Sequence, residues 1–293
     1  MMNRELILGT RGSALALTQS QQVADKLTGL TGVPVKLKII QTRGDRIQNQ
    51  ALSKVGGKGL FTAELETGLR DGHIDLAVHS LKDLPTEDVD GLAIGAFPER
   101  EDSRDALVGG NWASLDEGAR VGTGSLRRGF QLRSLRPDLE IVDIRGNVDT
   151  RLAKLDDGQF DAIVLAMAGL KRLGVQRDDV TALKLDQMLP AVGQGALAVQ
   201  IRRDDPAVTG LVRQLDHAPT RRCVEAERSF LKNYGGGCNV PVACHATLRN
   251  QELRLVVVGP DNVGRLVRLQ CDGPDGVGMG REMAKRLQDS PSQ

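Results

Sequence analysis

The chain has 293 residues, and its 39 basic and 38 acidic side chains give a formal net charge of +1 at neutral pH. A near-neutral total argues against a general nucleic-acid binder, and one Trp, one Tyr and five Phe are too few for base-stacking platforms. The length is sufficient for two or three domains, each with its own core.

The N-terminal residues are not followed by a long apolar run, so the sequence predicts no signal peptide and a cytoplasmic protein. No segment reaches the roughly 20 apolar residues of a membrane span. The cysteines lack paired C-x-x-C spacing, which argues against a zinc site and, in a reducing compartment, against disulfides. They lie in the last quarter of the chain: Cys223, Cys238, Cys244 and Cys271.

The first two-thirds of the chain alternates strand-like and helix-like segments, which is typical of an α/β fold. Helices are predicted over 13–27 and 60–70, and the segment from Val242 onward changes to short strands and a final helix. We therefore expect a first lobe over 1–97 and 194–215, a second lobe over 98–193, and a small α+β domain over 216–293. The predicted strands of the lobes cover 5–10, 33–39, 74–78, 106–108, 121–123, 140–144 and 161–165.

Two loops repeat one local pattern, a strand followed by a glycine turn, a hydroxyl residue and a helix. They cover 8–13 and 121–125, and in each the serine is placed to cap the helix, Ser13 in the first and Ser125 in the second. Free backbone N–H groups at a helix start favour an anion. One such loop is a weak signal, but two in successive lobes predict a cleft with anion sites on both walls.

The segment from His79 to Pro85 carries the strongest chemical signal. It follows the apolar run 74–78, and Pro85 prevents the strand from continuing. Lys82 and Asp83 are therefore expected together at the carboxyl end of a strand, where open α/β sheets keep their ligand sites. Because arginines and lysines surround this segment in the sequence, Asp83 is predicted to be a single acid in a basic site.

Three further features have two readings each. The loop from Lys54 to Gly59 lacks the P-loop pattern and is either a flexible surface loop or a mobile cationic lid. The arginines after strands and on helices are either solvated or part of an anion site. The Gly-rich stretch 235–241 presents Cys238 either as a reactive loop-tip thiol or as an incidental cysteine.

These motifs together resemble the porphobilinogen deaminase family, in the family's order and over nearly the whole chain. The resemblance implies two lobes like those of periplasmic binding proteins and a small α+β third domain. It also implies a transferase that joins four porphobilinogen molecules head to tail on a dipyrromethane cofactor, with loss of ammonia and final release of hydroxymethylbilane. The matching segments are 9–13, 54–61, 79–85, 125–128, 144–148, 189–196 and the loop around Cys238.

The resemblance also assigns roles to individual residues. Asp83 matches the catalytic aspartate, which contacts the cofactor and stabilises cationic intermediates, and Cys238 matches the cysteine that holds the cofactor through a thioether. The other cofactor positions match Lys82, Thr123, Ser125, Arg127, Arg128 and Arg145. The substrate positions match Arg11, Ser13, Lys54, Lys58, Phe61, Arg151, Arg172 and Gln194, and no metal is expected.

Two positions depart from the family pattern. Gly124 stands where a hydroxyl residue is common, and Cys244 is an additional cysteine that we expect to be a core residue. A non-catalytic, two-lobed anion-binding protein is the main alternative, and a phosphoryl-transfer enzyme that uses the 54–59 loop is another. We expect a monomer whose partner is the small molecule porphobilinogen.

Overall fold

The computed structural model describes residues 5–46, 62–237 and 240–290, without the side chains of residues 45 and 46. By its internal contacts the chain divides into two units. The first comprises Met1–Arg100 and Ala196–Arg221, and the second comprises Glu101–Gly195 and Arg222–Gln293. No helix among the described residues is long and apolar enough to cross a membrane.

The first unit is built on a sheet of five described strands in the order β2-β1-β3-β10-β4. β1 runs parallel to β2 and β3, and β10 runs antiparallel to β3 and β4. The carboxyl ends of β1, β2 and β3 therefore meet at one edge, which we call the first edge. The strands are β1 (Leu6–Thr10), β2 (Val35–Ile39), β3 (Leu76–Ser80), β4 (Leu92–Ala96) and β10 (Leu197–Arg202).

Helices cover the first sheet because its strands β1, β3 and β10 are buried on both faces. α1 (Ala14–Thr31) buries Val23, Ala24 and Leu27 against Leu8 and Val78, which forms the main core of this unit. Leu65 and Leu69 of α3 bury against the other face. The helices are α1, α2 (Arg43–Arg46), α3 (Ala63–Arg70) and α7 (Pro206–Val212), with a 3-10 turn at Leu81–Asp83 and another at Arg213–Leu215.

The second unit contains a sheet of similar design, with five described strands in the order β7-β6-β8-β5-β9. β6 is parallel to β7 and β8, whereas β5 is antiparallel to β8 and β9. The carboxyl ends of β6, β7 and β8 thus share an edge with the start of β5, which we call the second edge. The strands are β5 (Asp105–Val108), β6 (Arg120–Gly122), β7 (Glu140–Val142), β8 (Ala162–Ala166) and β9 (Val180–Ala182), and the helices are α4 (Leu126–Leu135), α5 (Val148–Asp156) and α6 (Met167–Arg172), with a 3-10 turn at Trp112–Ser114.

The second unit also contains an antiparallel sheet in the order β11-β12-β13. One face of this sheet buries Leu253, Leu255 and Val257 against Phe230 of α8 and Met283 of α9. Cys244 is fully buried in the same core, which confirms the expectation for this extra cysteine. The elements are α8 (Ala218–Tyr234), β11 (Ala243–Arg249), β12 (Glu252–Pro260), β13 (Leu266–Gly273) and α9 (Gly276–Gln288).

The predicted fold class agrees with the structure, which has two α/β sheets of similar design and a small C-terminal α+β part. The sequence pattern gave no separate prediction for β4, β9 and β11. β4 has the composition LAIGA, with two alanines and an interior glycine, and these residues have low strand propensity. β9 is only three residues long.

Candidate functional site

The Lys82–Asp83 pair lies at the first edge, as the sequence predicts. β3 ends at Ser80, and a single 3-10 turn over Leu81–Asp83 follows it directly. Leu81 is buried, and its N–H donates to the carbonyl oxygen of Ala196 at 3.0 Å. Because that buried residue fixes the turn, Lys82 is half-buried and the Asp83 carboxylate is exposed to solvent.

A polar layer supports this turn from inside the lobe. Buried His79 pairs through Nε2 with Gln200 Oε1 at 2.9 Å, and Gln19 pairs with the Ser80 hydroxyl at 3.0 Å. Burial lowers the pKa of His79 to about 4; the hydrogen bond to Gln200 opposes the shift, and the charge of Arg11 adds to it. His79 is therefore neutral at pH 7, and the positive charge of Arg11 lies near β3, the strand that precedes the Asp83 turn.

The first capped loop also lies at the first edge. Ser13 is the N-cap of α1, and its Oγ accepts from Ala16 N at 3.3 Å. Ser20 Oγ donates to Thr10 Oγ1 at 2.7 Å beneath the loop. The predicted residues Arg11, Ser13, Lys82 and Asp83 thus follow two adjacent strands of one sheet.

At the second edge, one buried carboxylate holds two arginines. Asp105, the first residue of β5, accepts from Arg127 Nη1 at 2.7 Å and Arg128 Nη2 at 2.7 Å, and also from Gln194 Nε2 at 3.0 Å. Burial alone would raise the pKa of Asp105, but the charges and hydrogen bonds of the two guanidinium groups outweigh it and hold that pKa well below its usual range. The cluster therefore stays ionised with one positive charge in excess.

Two more predicted cations lie beside this cluster. Arg145 Nε donates to Asp143 Oδ2 at 2.9 Å, and Arg151 Nε donates to the carbonyl oxygen of Gly146 at 2.8 Å. Burial lowers the pKa of Arg151, and the positive charge of Arg128 lowers it further. Positive charge is thus concentrated where β6 and β7 end, and this charge favours the binding of an anionic ligand.

The second capped loop lies between these cations. Ser125 is the N-cap of α4 and accepts from Arg128 N at 3.4 Å, while buried Thr123 accepts from Ser125 N through Oγ1 at 3.2 Å. A Cβ at Gly124 would lie 2.9 Å from Asp143 Oδ1 and 3.1 Å from the carbonyl oxygen of Ile144. Glycine therefore fits the close approach of the loop after β7.

The segment that precedes β10 ties several predicted residues together. Arg172 Nη2 donates to the carbonyl oxygen of Gly195 at 2.8 Å, and Gln194 Nε2 donates to the carbonyl oxygen of Ser103 at 2.8 Å. Arg127 Nη1 donates to the carbonyl oxygen of Leu189 at 2.7 Å. These contacts show that three predicted ligand-binding side chains also hold this segment in place.

Two family models cover most of the chain. "Porphobilinogen deaminase, dipyromethane cofactor binding domain" matches residues 6–210, and "Porphobilinogen deaminase, C-terminal domain" matches residues 221–289. The chain belongs to the porphobilinogen deaminase family. The cofactor of that family, dipyrromethane, is therefore the cofactor of this chain as well.

Several named relatives match this chain over nearly its whole length and over nearly the whole of their own. The porphobilinogen deaminase of Nitratidesulfovibrio vulgaris strain DP4 is 49% identical over 97% of this chain and 93% of its own. That of Brevibacillus brevis is 48% identical, with 96% and 93% covered, and that of Roseiflexus sp. strain RS-1 is 49% identical, with 98% and 97% covered. A solved structure of the methionine binding protein MetQ matches at 13% identity and a TM-score of 0.46, over 72% of this chain and 89% of that one.

Four predicted family positions lie outside the described residues: Lys54, Lys58, Phe61 and Cys238. Their roles stay predictions. Of the other three cysteines, Cys223 and Cys244 are buried and Cys271 is half-buried. The described part of the chain contains no group of three His, Cys, Asp or Glu side chains that could hold a metal ion.

Sequence reasoning missed the two buried carboxylates that organise the second unit. Asp105 begins the apolar strand 105–108. An acid at the start of a buried strand indicates cationic partners, because a buried charge is unfavourable unless it is paired. Glu227 lies in α8; its Oε2 accepts from Gly193 N at 2.7 Å and its Oε1 accepts from Ala246 N at 2.8 Å. The only signal for Glu227 in the sequence was an acidic residue next to Ala226 on the face of the helix that is buried.

Proposed function

We propose that the protein is a hydroxymethylbilane synthase of tetrapyrrole biosynthesis. It joins four porphobilinogen molecules head to tail and releases the linear product by hydrolysis. The match of both family domains along nearly the whole chain carries this proposal. The Lys82–Asp83 turn and the arginine groups at the two edges supply the chemistry that the reaction needs.

The substrate chemistry accounts for the excess of cations at both edges. Each porphobilinogen ring carries an acetate and a propionate, and arginine forks bind carboxylates through paired N–H groups. We assign the substrate carboxylates to Arg11 with Ser13 in the first lobe, and to Arg151, Arg172 and Gln194 in the second. Lys54, Lys58 and Phe61 complete the proposed substrate set.

Asp83 is the proposed catalytic residue. In each condensation the carbon–nitrogen bond of the aminomethyl group breaks, ammonia leaves, a carbon–carbon bond forms, and the attacked ring loses a proton. Loss of ammonia leaves a cationic substrate pyrrole, which an exposed carboxylate on a rigid turn is suited to stabilise. Lys82 is assigned to a carboxylate and not to the reacting carbon.

The donor set at the second edge fits dipyrromethane. That group carries carboxylates on two pyrrole rings, and the cluster of Arg127, Arg128 and Asp105 has one positive charge in excess. When bound, dipyrromethane supplies the primer on which the product chain is built. We assign its carboxylates to Arg127, Arg128 and Arg145 with Thr123, Ser125 and Lys82, and its thioether bond to Cys238.

Intact mass spectrometry of the purified protein tests this assignment. The wild type should carry the added mass of two linked pyrroles, and incubation with porphobilinogen should add further single-pyrrole increments. Cys238→Ser should carry no added mass. Cys271 is a free cysteine in β13, and Cys271→Ser should carry the same added mass as the wild type. An unmodified wild type that stays unmodified with porphobilinogen would support the non-catalytic anion-binding alternative.

Several finer properties remain part of the proposal. They are a cytoplasmic location, a monomeric state, and the division into lobes over 1–97 with 194–215 and over 98–193 and a cofactor-anchoring domain over 216–293. Porphobilinogen is the proposed small-molecule partner, and its recognition by arginine forks needs no metal.

A further inference from the structure

Within the described residues, Arg127 does not use all of its N–H groups as hydrogen-bond donors. A guanidinium group has five N–H donors. Nη1 donates to Asp105 Oδ2 at 2.7 Å and to the carbonyl oxygen of Leu189 at 2.7 Å, and Nη2 donates once, to Asp105 Oδ1 at 3.2 Å. No described residue accepts from Nε or from the second N–H of Nη2. These two groups point the same way and form a fork that matches a carboxylate.

Arg128 is held differently by the same carboxylate. Its Nε and Nη2 both donate to Asp105 Oδ1, at 2.9 and 2.7 Å, and its Nη1 donates to the carbonyl oxygen of Val164 at 2.8 Å. The fork of Arg128 is therefore occupied by Asp105. One buried carboxylate thus takes the end of one guanidinium group and the side of the other.

We propose that Asp105 is a positioning residue that turns the Nε–Nη2 fork of Arg127 toward a ligand carboxylate. Because two fixed cations share one anion, the excess positive charge of the cluster is available to that ligand. Without Asp105 the two guanidinium groups would repel each other, and neither would keep its orientation. The inference rests on the proposed function, since the ligand carboxylate is taken to be that of dipyrromethane or of a growing pyrrole chain.

A substitution series at Asp105 tests the proposal. Asp105→Ala removes the carboxylate and leaves space for formate, whereas Asp105→Asn fills the space with an uncharged amide that presents N–H groups to the arginines. For each variant the folded monomeric fraction is collected, and its cofactor content and its KM for porphobilinogen are measured. If Asp105 had only a structural role, its substitution would reduce the amount of folded protein. The cofactor content and the KM of the protein that does fold would stay unchanged.

For both variants we expect that the fraction of molecules carrying the cofactor falls by at least about half, or that KM for porphobilinogen rises about 10-fold or more. Formate should return the Asp105→Ala variant toward wild-type values and should leave the Asp105→Asn variant unchanged. Asp138→Asn is the matched control, because Asp138 forms a half-buried pair with Arg136 in the same unit, away from the second edge. It should keep the wild-type KM and cofactor content.

Asp105→Glu keeps the experiment decisive if the smaller variants do not fold. It retains the charge but moves the carboxylate by one methylene, so we expect a folded protein with a KM raised several-fold. Wild-type KM and full cofactor mass in the folded Asp105 variants would overturn the inference. A wild type that carries no cofactor and makes no product would instead overturn the proposed function, so the two failures are distinguishable.

Discussion

At the scale of single residues, Asp83 differs from the other carboxylates at the two edges. Asp105 is buried between two arginines, and Asp143 pairs with Arg145 at 2.9 Å. Asp83 is exposed on a turn that buried Leu81 fixes. Its negative charge therefore has a defined place and is open to a ligand, as a group that stabilises a developing cation requires.

Replacing Asp83 with Asn tests this role. The turn should persist, because its buried anchor is Leu81. The rate of hydroxymethylbilane formation should fall by about 10²–10³-fold, as it does when an enzyme loses one preorganised electrostatic contact to the transition state. Steady-state assays and thermal unfolding of the same preparation measure both properties. Asp90→Asn, an acid in the next loop, is the control. A rate close to that of the wild type would contradict the assignment.

His79 gives a second prediction, on the pH dependence of stability. Its pKa is about 4 in the folded protein, against the ordinary histidine value of 6.5, so the unfolded chain binds the additional proton between these values. Stability from this group is therefore full above pH 6.5 and decreases as the pH falls toward 4, by roughly 3 kcal/mol in all. The thermal midpoint of the wild type should fall more steeply over this range than that of His79→Gln. Parallel curves for the two proteins would show that His79 is not responsible.

At the scale of elements, the strands and helices that flank glycine turns were predictable. Local patterns such as the serine caps of α1 and α4 need only neighbouring residues, and Ser13 and Ser125 occupy the predicted cap positions. β4 and β9 were not predictable in the same way, because their strand structure depends on pairing with β10 and β5. Periodicity cannot report such a partner, which is distant in the sequence.

The segment before β10 depends on one glycine. Gly195 has φ +87°, and a Cβ there would collide with the carbonyl oxygen of Glu101. Gly195→Ala should therefore lower the thermal midpoint by the equivalent of about 2 kcal/mol or more. Gly174→Ala is the matched control, because Gly174 also has a positive φ (+65°) but open space around its Cα. Equal effects of the two substitutions would show that backbone conformation alone, and not the collision, sets the cost.

At the scale of the whole molecule, the sequence motifs predicted the family and most of the candidate site, but not how the site is supported. Arg127 and Arg128 were predicted as ligand-binding residues, and both are buried on Asp105. Arg172 and Gln194 likewise donate to backbone carbonyl oxygens, those of Gly195 and Ser103. These contacts join residues up to about ninety positions apart, and a single sequence does not identify which distant residues form the pairs.

Glu227 is a second buried acid that joins distant segments of the second unit, as Asp105 does. Its carboxylate accepts from Gly193 in the segment before β10 and from Ala246 in β11, and His245 Nδ1 lies 3.3 Å from Oε1. Nε2 of His245 in turn lies 3.5 Å from Ser103 Oγ, two residues before Asp105. One acid of α8 thus bonds both to the segment before β10 and to strand β11.

Replacing Glu227 with Gln tests how much this connection stabilises the protein. The amide can accept through one oxygen only, so a buried backbone N–H of Gly193 or Ala246 would lose its acceptor, which costs about 1–3 kcal/mol. The thermal midpoint should fall accordingly, whereas Glu282→Gln, at an exposed position of α9, should change stability by less than about 0.5 kcal/mol. If both variants unfold at the wild-type temperature, the Glu227 contacts do not stabilise the connection between the segment before β10 and β11.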